Sequence, residues 1–302
     1  MSGQKNAGKT AELATPDLLE TIKKTTIISL FSDDDLLDLL VLKGGNAMDI
    51  VHKVSSRASV DIDLSVDTNF EYTTVWPKVE QAILDGFAAK GYLAFDIKMT
   101  IKPGKMPAEL ASFWGGYLVE FKLISRTRAA EIENNLETMR REAIKIGEGT
   151  RFTIDISRHE YIKEKQQHEL DGYTIYVYTP EMIVCEKLRA ICQQMPEYAD
   201  IIKRNGLGNQ RARDFIDIEV LVREFSIDLD SIRTRHLVEQ MFAIKRVPLT
   251  LLSKIPETKD FHATGYLQVR EAMKPGIEVH PFDYYFNFVV AEIQKLEPLW
   301  NV

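Results

Sequence analysis

Cysteine and histidine are scarce in this chain of 302 residues, which has two of the first and six of the second. Both cysteines, Cys185 and Cys192, fall in one predicted helix, about two turns apart. We expect them to pack as small apolar groups and to form neither a disulfide nor a zinc site. The histidines have no metal-ligand spacing either. The sequence therefore favours neither a disulfide-stabilised scaffold nor a zinc protein.

Long apolar runs are also missing. No run reaches the ~20 residues that a helix needs to span a bilayer, and the first 16 residues lack the apolar core of a signal peptide. With 45% hydrophobic and 27% charged residues, the composition is that of an ordinary globular protein. We therefore expect a cytoplasmic protein with no membrane partner and with room for two modest domains.

A surplus of positive charge is absent too, because the formal net charge is −7. This argues against broad, non-specific binding of nucleic acid, which depends on Lys and Arg neutralising phosphates. Local basic clusters remain, and they are either solvated faces or surfaces that meet phosphates. The basic residues of these clusters are Arg126, Arg128, Arg140, Arg141, Lys203, Arg204, Arg211 and Arg213.

Residues 3–10 match the sequence pattern of a phosphate-binding loop, Gly-x4-Gly-Lys-Thr, but lack its structural context. Such a loop works when a buried strand leads into it and a helix follows it. Only two residues precede Gly3, so we reject this motif. We expect residues 1–14 to form a mobile tail.

What is present is a stretch of 25 residues, LKGGNAMDIVHKVSSRASVDIDLSV, on which the functional interpretation depends. Its Lys43, Gly44 and Gly45 predict a turn where a polyphosphate can approach main-chain N–H groups. A short helix is predicted next, from Asn46 to Lys53, and the N-terminus of a helix suits a phosphate. A Gly-Gly pair by itself is more often an ordinary turn.

The end of this stretch alternates strictly between polar and apolar residues, from Ser59 to Val66, and predicts a strand. Its polar face then carries Ser59, Asp61 and Asp63. Two carboxylates side by side on one strand repel each other unless a cation lies between them. We interpret the pair as half of a metal site, although a lone Asp-x-Asp is more often a solvated strand face.

A second alternating stretch, Arg151 to Arg158, predicts another strand with Asp155 on its polar face. If the two strands are neighbours, Asp155 is the third carboxylate of a two-metal site. Mg²⁺ prefers a few carboxylates together with phosphate and water, and two such ions suit in-line phosphoryl displacement. Taken alone, Asp155 is more often solvated.

The order of glycine turn, short helix and Ser-x-Asp-x-Asp strand resembles the nucleotidyltransferase fold of DNA polymerase β. It resembles more closely the AbiEii/AbiGii-type nucleotidyltransferase toxins, whose pattern is Leu-Lys-Gly-Gly-Thr-Ala-Leu and then Arg-x-Ser-x-Asp-Ile-Asp-Leu. Residues 42–47 and 57–64 match this pattern, with Asn46 in place of the usual hydroxyl residue. The resemblance implies Asp61, Asp63 and Asp155 as ligands of Mg²⁺. It implies that the substrate NTP is bound by Lys43, Gly44, Gly45, Asn46, Arg57 and Ser59.

Two later pieces resemble further motifs of the same family. They begin at Glu186 (Glu-Lys-Leu) and at Arg213 (Arg-Asp-Phe-Ile-Asp-Ile), each in a predicted helix. In the family, the lysine and the first aspartate of these motifs belong to the active site, which implies catalytic roles for Lys187 and Asp214. The alternative is a surface lysine on the flank of one helix and an ion pair between helices.

The periodicity and the resemblance together predict an α+β protein. A polymerase β-like nucleotidyltransferase domain with a mixed sheet is expected at residues 15–178. A helical C-terminal domain is expected at residues 179–302, with its first two helices closing the active-site cleft. Within the first domain, one polar helix is predicted from Ala129 to Ile146. No catalytic pattern is found beyond residue 226.

The resemblance implies a Mg²⁺-dependent nucleotidyltransferase that acts as the toxin of a toxin–antitoxin (abortive-infection) pair. Its substrate is then an NTP, its acceptor an RNA such as a tRNA 3′ end, and its partner a cognate antitoxin. Two alternatives stay open: nucleotide transfer to a small-molecule or protein hydroxyl, and a catalytically silent binding partner in a defence complex. The intact metal acids count against the silent partner.

Overall fold

A seven-stranded mixed sheet lies at the centre of the computed structural model, which describes residues 12–54, 61–67, 72–274 and 276–301. The strands are β1 (Val41–Lys43), β2 (Ile62–Ser65), β3 (Tyr92–Lys102), β4 (Gly116–Ser125), β5 (Phe152–Ser157), β6 (Gln166–Leu170) and β7 (Tyr173–Val177). Their order in the sheet is β3-β4-β5-β2-β1-β7-β6. The neighbours β2/β5 and β1/β7 run parallel and the other pairs antiparallel, which confirms the predicted mixed sheet.

Helices surround the sheet and make up most of the described chain after β7. They are α1 (Pro16–Phe31), α2 (Asp34–Leu39), α3 (Gly44–Asn46), α4 (Tyr72–Ala89), α5 (Arg126–Glu131), α6 (Leu136–Glu142), α7 (Pro180–Cys192), α8 (Pro196–Ile201), α9 (Ala212–Glu224), α10 (Ile232–Ala243), α11 (Lys259–Ala263), α12 (Tyr266–Glu271) and α13 (Phe282–Gln294). A 3₁₀ segment, Leu249–Thr258, follows α10. None of the described helices is both long and apolar enough to cross a membrane.

Local sequence signals explain where the first helices begin and which face they bury. Thr15 caps α1 by accepting a hydrogen bond from the Leu18 N–H, and Pro16 occupies the first helical position, where its missing N–H costs nothing. Helix α4 buries apolar residues spaced four apart, which places them on one helix face. These residues are Val75, Val79, Ile83 and Phe87.

The helices α7 and α9 bury the apolar faces that their periodicity predicts. The buried residues on these faces are Val184, Leu188, Ile191, Phe215, Ile218, Leu221 and Val222. Met195, just after α7, is buried with them. Cys185 and Cys192 are fully buried on α7 as free thiols, which confirms the prediction made for them. Burial raises the pKa of both thiols, so they stay protonated and behave as apolar groups.

The predicted helices and strands differ from the structure in three places, and the first is a helix that is broken in two. The single helix predicted from Ala129 to Ile146 is two short helices, α5 and α6. They are separated by Glu133 and Asn134, whose φ angles are 53° and 54°, a left-handed conformation that ends a helix. The side chain of Asn135 then caps α6, an arrangement that competes with a continuous helix.

The strand β6 was not predicted, because its sequence, QQHEL, is polar and mostly exposed. It lies at the edge of the sheet and pairs only with β7. The helix predicted from Asn46 to Lys53 begins earlier, at Gly44, and continues as a π-helix from Ala47 to Val51. It ends before Lys53, whose φ of 60° is left-handed.

The division into domains stays a prediction. The first 11 residues of the predicted tail lie outside the described part of the chain. Residues 12–14 lie along residue 145, since Leu13 forms a bridge with Lys145 and the Ala14 N–H donates to the Lys145 carbonyl at 2.8 Å.

A glycine at the start of β4 should be essential for the fit of β4 against β5. Gly116 lies opposite Ser157, and a Cβ there would come within 2.2 Å of the Ile156 carbonyl oxygen. Gly116→Ala should therefore lower the free energy of unfolding by about 1–3 kcal/mol, because the strands must move apart. Gly104→Ala is the control, since a Cβ at Gly104 meets no atom within 4 Å. Urea unfolding of the two variants checks this, and equal stabilities would contradict it.

Candidate active site

Sheet pairing brings the predicted acids to one face. In the parallel pair β2/β5, Asp63 lies directly opposite Asp155. In the antiparallel pair β1/β2, Lys43 lies opposite Asp63. Residues opposite one another on neighbouring strands share a sheet face. Lys43, Asp63 and Asp155 therefore form a row across three strands, and Asp61 precedes β2 on the same face.

Asp61 and Asp155, the two acids that accompany Asp63 on this face, each have a partner within the chain. Asp61 is exposed and accepts a hydrogen bond from the Thr153 hydroxyl on β5. Asp155 forms an ion pair with Lys102 at the end of β3. With the side chains so placed, the described residues contain no group of three His, Cys, Asp or Glu that could hold a metal ion.

Gly44 makes room for the central acid. Its φ is +64°, a left-handed conformation that glycine adopts without the steric cost paid by other residues. A Cβ at this position would also lie 2.5 Å from the Asp63 Oδ2 atom. The glycine is therefore required both by the backbone turn and by the close approach of the Asp63 carboxylate.

The central acid lies in an excess of negative charge. Burial raises the pKa of Asp63 to about 6, and the charges of Glu186, Asp155 and Asp61 act in the same direction. The charge of Lys43 opposes them. The cations within the chain thus leave the charge on this carboxylate incompletely balanced, and a further positive charge here is favoured.

Lys43 has a side-chain role that the turn motif did not indicate. Its Nζ atom is buried, 2.6 Å from Glu186 Oε1 and 3.1 Å from Ser157 Oγ. Burial alone would lower the pKa of Lys43, but the charges of Glu160 and Glu186 raise it. The ammonium group is thus a fixed positive charge in the floor of the site.

A second buried ion cluster lies beside Lys43 and centres on Glu160. One Glu160 oxygen is 2.8 Å from the Arg189 guanidinium, and the other is 3.3 Å from the Nζ of Lys245. Burial opposes ionisation of Glu160, but the charges of Arg189, Lys245 and Lys43 lower its pKa. Burial lowers the pKa of Lys245 to about 8.

Sequence reasoning missed Glu160, Arg189 and Lys245. One signal was available for Arg189, which lies three residues after Glu186 and so on the same side of α7. Lys245 follows α10, in the part of the chain where no catalytic pattern was found, and Glu160 follows β5. Only long-range contacts reveal that these three charges share one buried cluster.

Lys187 and Asp214 lie together between α7 and α9, in buried positions. Lys187 donates to Asp214 at 3.2 Å and to Asp217 at 2.6 Å, and all three side chains are buried. Arg211 also donates to Asp214, at 2.5 Å. Burial opposes ionisation of Asp214, but the charges of Arg211 and Lys187 lower its pKa. The alternative of a surface lysine is therefore wrong, because α9 packs its acids against Lys187, whereas the ion pair between helices is present.

These groups line one cleft of about 750 Å³. The sheet face and the helices α7 and α9 form its opposite sides. Its lining includes these charged residues: Lys43, Asp61, Asp63, Lys102, Asp155, Glu160, Glu186, Lys187, Arg189, Arg204, Arg211, Arg213, Asp214 and Lys245. Gly44 and Gly45 also line it, so most of the predicted site residues meet at one place.

The remaining predicted residues are not at the cleft surface or fall outside the described chain. Asn46 is fully buried, and its amide donates to the Asp61 carbonyl at 2.5 Å. It therefore holds the main chain next to an acid. Arg57 and Ser59 lie outside the described residues.

The basic clusters of the sequence separate in space. Arg204, Arg211 and Arg213 line the cleft. Arg128 and Arg140, in contrast, line two other pockets, where each is paired with two carboxylates. Only the cluster between α8 and the start of α9 is placed to meet a substrate that enters the cleft.

The family model of the nucleotidyl transferase AbiEii toxin, of type IV toxin–antitoxin systems, matches residues 27–288. The chain belongs to this family. The AbiEii-family chain is therefore an NTP-dependent nucleotidyltransferase, which confirms the family and the enzyme class that the glycine turn and the Asp-x-Asp strand predicted.

The chain is also similar to solved structures. JHP933 from Helicobacter pylori is 17% identical, with a TM-score of 0.50 and 95% of each chain covered. An antigenic nucleotidyltransferase-like protein from Paracoccidioides brasiliensis is 14% identical, with a TM-score of 0.39. The match covers 83% of this chain and 94% of the other. Among curated proteins, no significant match is found. The similarity to JHP933 shows that the AbiEii-family chain shares its fold.

The close approach of Gly44 to Asp63 gives a test with a matched control. Gly44→Ala and Gly172→Ala both place a side chain at a left-handed position, with φ +64° and +87°, but a Cβ at Gly172 meets nothing within 4 Å. Both variants should lose about 1–2 kcal/mol of stability. Only Gly44→Ala should also lose nucleotide transfer, because its methyl group displaces the Asp63 carboxylate. Thermal unfolding and an assay of NTP turnover check this, and equal activities would contradict it.

Proposed function

We propose that the chain transfers a nucleoside monophosphate from an NTP to an RNA acceptor, such as a tRNA 3′ end, in a Mg²⁺-dependent reaction. We further propose that it acts as the toxin of a pair with a cognate antitoxin, in abortive infection. The observation that supports the reaction is the register of β1, β2 and β5, which aligns Lys43, Asp63 and Asp155 along one cleft.

The acids in this row fit a magnesium ion by their chemistry. Asp61, Asp63 and Asp155 would hold it, because carboxylate oxygens are the ligands that Mg²⁺ prefers. The excess negative charge around Asp63 favours a cation. To bind one, Asp155 must leave Lys102, a partner that is more than half exposed and so contributes little to stability. When bound, Mg²⁺ supplies positive charge to the phosphates and makes an acceptor hydroxyl more acidic.

The other predicted residues position and neutralise the substrate. Main-chain N–H groups of Gly44 and Gly45 would bind phosphate, next to the acids that the turn adjoins. Lys187 and Arg211 would offset the charge on the triphosphate and on the departing pyrophosphate. Asp214 would act through these two cations, because its two oxygens accept hydrogen bonds from Lys187 and Arg211.

Arg57 and Ser59 keep their proposed roles on the strength of the family pattern alone. They belong to the Arg-x-Ser-x-Asp-Ile-Asp-Leu motif and lie four and two residues before Asp61 in the sequence. A hydroxyl and a guanidinium at these positions suit contacts with phosphate oxygens. Asn46 takes a different role in this proposal: it fixes the main chain of Asp61 and touches no phosphate.

An RNA acceptor is favoured by the cations on the helical side of the cleft. Arg204 is held by two carbonyls at the end of α7, and Arg213 is exposed and lines the same cleft. Exposed guanidinium groups bind phosphates well because they donate several hydrogen bonds. A small hydroxylated acceptor would need no such cations outside the triphosphate site.

The direct experiment is incubation of the protein with each labelled NTP and total RNA, with and without Mg²⁺. We expect one or more NTPs to label RNA only when Mg²⁺ is present. Label in protein, or in a small-molecule fraction, would identify a different acceptor. No label under any condition, with a folded protein, would contradict the proposed reaction.

The acids give the sharpest mutational test. Asp63→Asn and Asp61→Asn should each lower nucleotide transfer by about 100-fold or more, as the loss of a charge that stabilises the transition state does. The melting temperature of Asp63→Asn without Mg²⁺ should be unchanged or higher, because the substitution removes repulsion from Asp155 and Asp61. Asp67→Asn is the matched control, since Asp67 is exposed just after β2. Wild-type activity in Asp63→Asn would exclude a metal site here.

The same variants test the toxin assignment. Expression of the wild-type chain should arrest growth, and co-expression of the product of an adjacent gene should relieve the arrest. Growth arrest that persists with Asp61→Asn would show that toxicity does not come from nucleotide transfer.

The position of the basic clusters predicts which arginines contact RNA. Arg213→Glu should raise the KM for RNA and reduce the dependence of KM on salt concentration, since one phosphate contact is lost. Arg141→Glu, the control, changes charge equally on the exposed helix α6, away from the cleft lining, and should change neither. Initial rates over a range of salt concentrations measure both effects. Equal effects of the two substitutions would place RNA outside this cleft.

A further inference from the structure

One aromatic ring stands among the charged groups of the cleft. Of the described residues that line it, Trp114 alone has an aromatic side chain. The other apolar groups at the surface of the cleft are small, namely Pro103, Ala190 and glycines. Trp114 is half-buried, so part of its ring faces the space where the substrate must lie.

The ring of Trp114 is held in place by buried neighbours. Its centroid is 5.8 Å from that of Tyr198, which is fully buried. The Nζ atom of Lys245 lies 5.6 Å from the centroid, a distance at which an ammonium group is attracted to an indole. Lys245 is in turn fixed by the Arg158 carbonyl and by Glu160. A ring fixed in this way is a rigid contact surface with little conformational entropy to lose on binding.

The strand β5, which carries Asp155, positions this ring through its pairing with the start of β4. Trp114 comes two residues before Gly116, which lies opposite Ser157. Ser157 is two residues beyond Asp155 on β5. The Arg158 N–H donates to the Gly115 carbonyl at 3.0 Å and holds the start of β4 in register. Trp114 therefore lies at the end of the cleft towards which β5 runs after its acid.

We propose that Trp114 is the stacking platform for a nucleobase in the reaction. This inference rests on the proposed function. It adds a contact for the base, the part of the nucleotide that the charged residues do not bind. Phosphates meet Lys187, Arg211 and the glycine turn, whereas a base has a flat apolar face that is best buried against an aromatic ring. The base is that of the NTP or that of the acceptor terminus. Stacking of this kind discriminates weakly among bases, because every base has a π-face.

Fluorescence tests the contact directly, because the chain has only three tryptophans. Replacing Trp76 and Trp300 with Phe leaves Trp114 as the single emitter. We expect NTP to quench its emission, since a stacked base does so, and inorganic tripolyphosphate to compete with NTP without quenching. Quenching by RNA alone, and not by NTP, assigns the platform to the acceptor base.

Calorimetry separates this inference from the function on which it rests. If NTP and RNA bind but neither quenches, the platform is disproved and the proposed reaction stands. If neither ligand binds the folded protein, both proposals fail.

Substitution of the ring gives a second readout. Trp114→Leu keeps apolar volume but removes the π-face, and should weaken binding of the stacked ligand roughly 10-fold or more. Its affinity for tripolyphosphate should not change. Trp114→Phe should restore most of the binding. A merely structural role would instead lower the melting temperature and affect tripolyphosphate and NTP alike, and Trp114→Leu with wild-type affinity for both NTP and RNA would overturn the platform.

Discussion

The need to balance negative charge on the face of β2 and β5 governs the arrangement of the site. Asp63 shares this face with Asp61 and Asp155, and its pKa is raised first by burial and then by the charges of Glu186, Asp155 and Asp61. Two lysines offset this negative charge: Lys43 lies opposite Asp63, and Lys102 forms an ion pair with Asp155. Carboxylates held together in this way are stable only with cations close by. In the proposed reaction, the metal ion bound with the nucleotide would bring charge of the required sign.

The balancing charges also connect the two halves of the described chain. Lys43 on β1 pairs with Glu186 on α7, while Glu160 after β5 pairs with Arg189 and Lys245. These pairs are buried, so removal of one member leaves an uncompensated charge at high cost. The helix α7, which carries Lys187, is thus held at a fixed position relative to the acids, which a cleft for in-line transfer requires.

Within the cleft, different elements supply different contacts. In the proposed reaction, the sheet would supply acids and the α3 turn would supply main-chain N–H groups. The cations would be Lys187 on α7 and Arg211 just before α9, which are held by Asp214 and Asp217. The start of β4 adds a flat apolar ring at Trp114. A nucleotide has the matching parts: a metal-bound triphosphate at one end and a base at the other. The C-terminal part contributes as well, through Lys245, although its sequence shows no motif.

The sequence by itself determined the family, the mixed sheet and the identity of the acids, because glycine turns and alternating strands leave local patterns. It left open whether Lys187 is a surface lysine, and it missed the cluster around Glu160. Whether a lysine is exposed or buried depends on which helix packs against it, and Lys187 meets Asp214 27 residues away in the chain. Only the tertiary structure determined which of these charged residues are buried and which pair with one another, since a buried ion pair needs a partner that local periodicity does not encode.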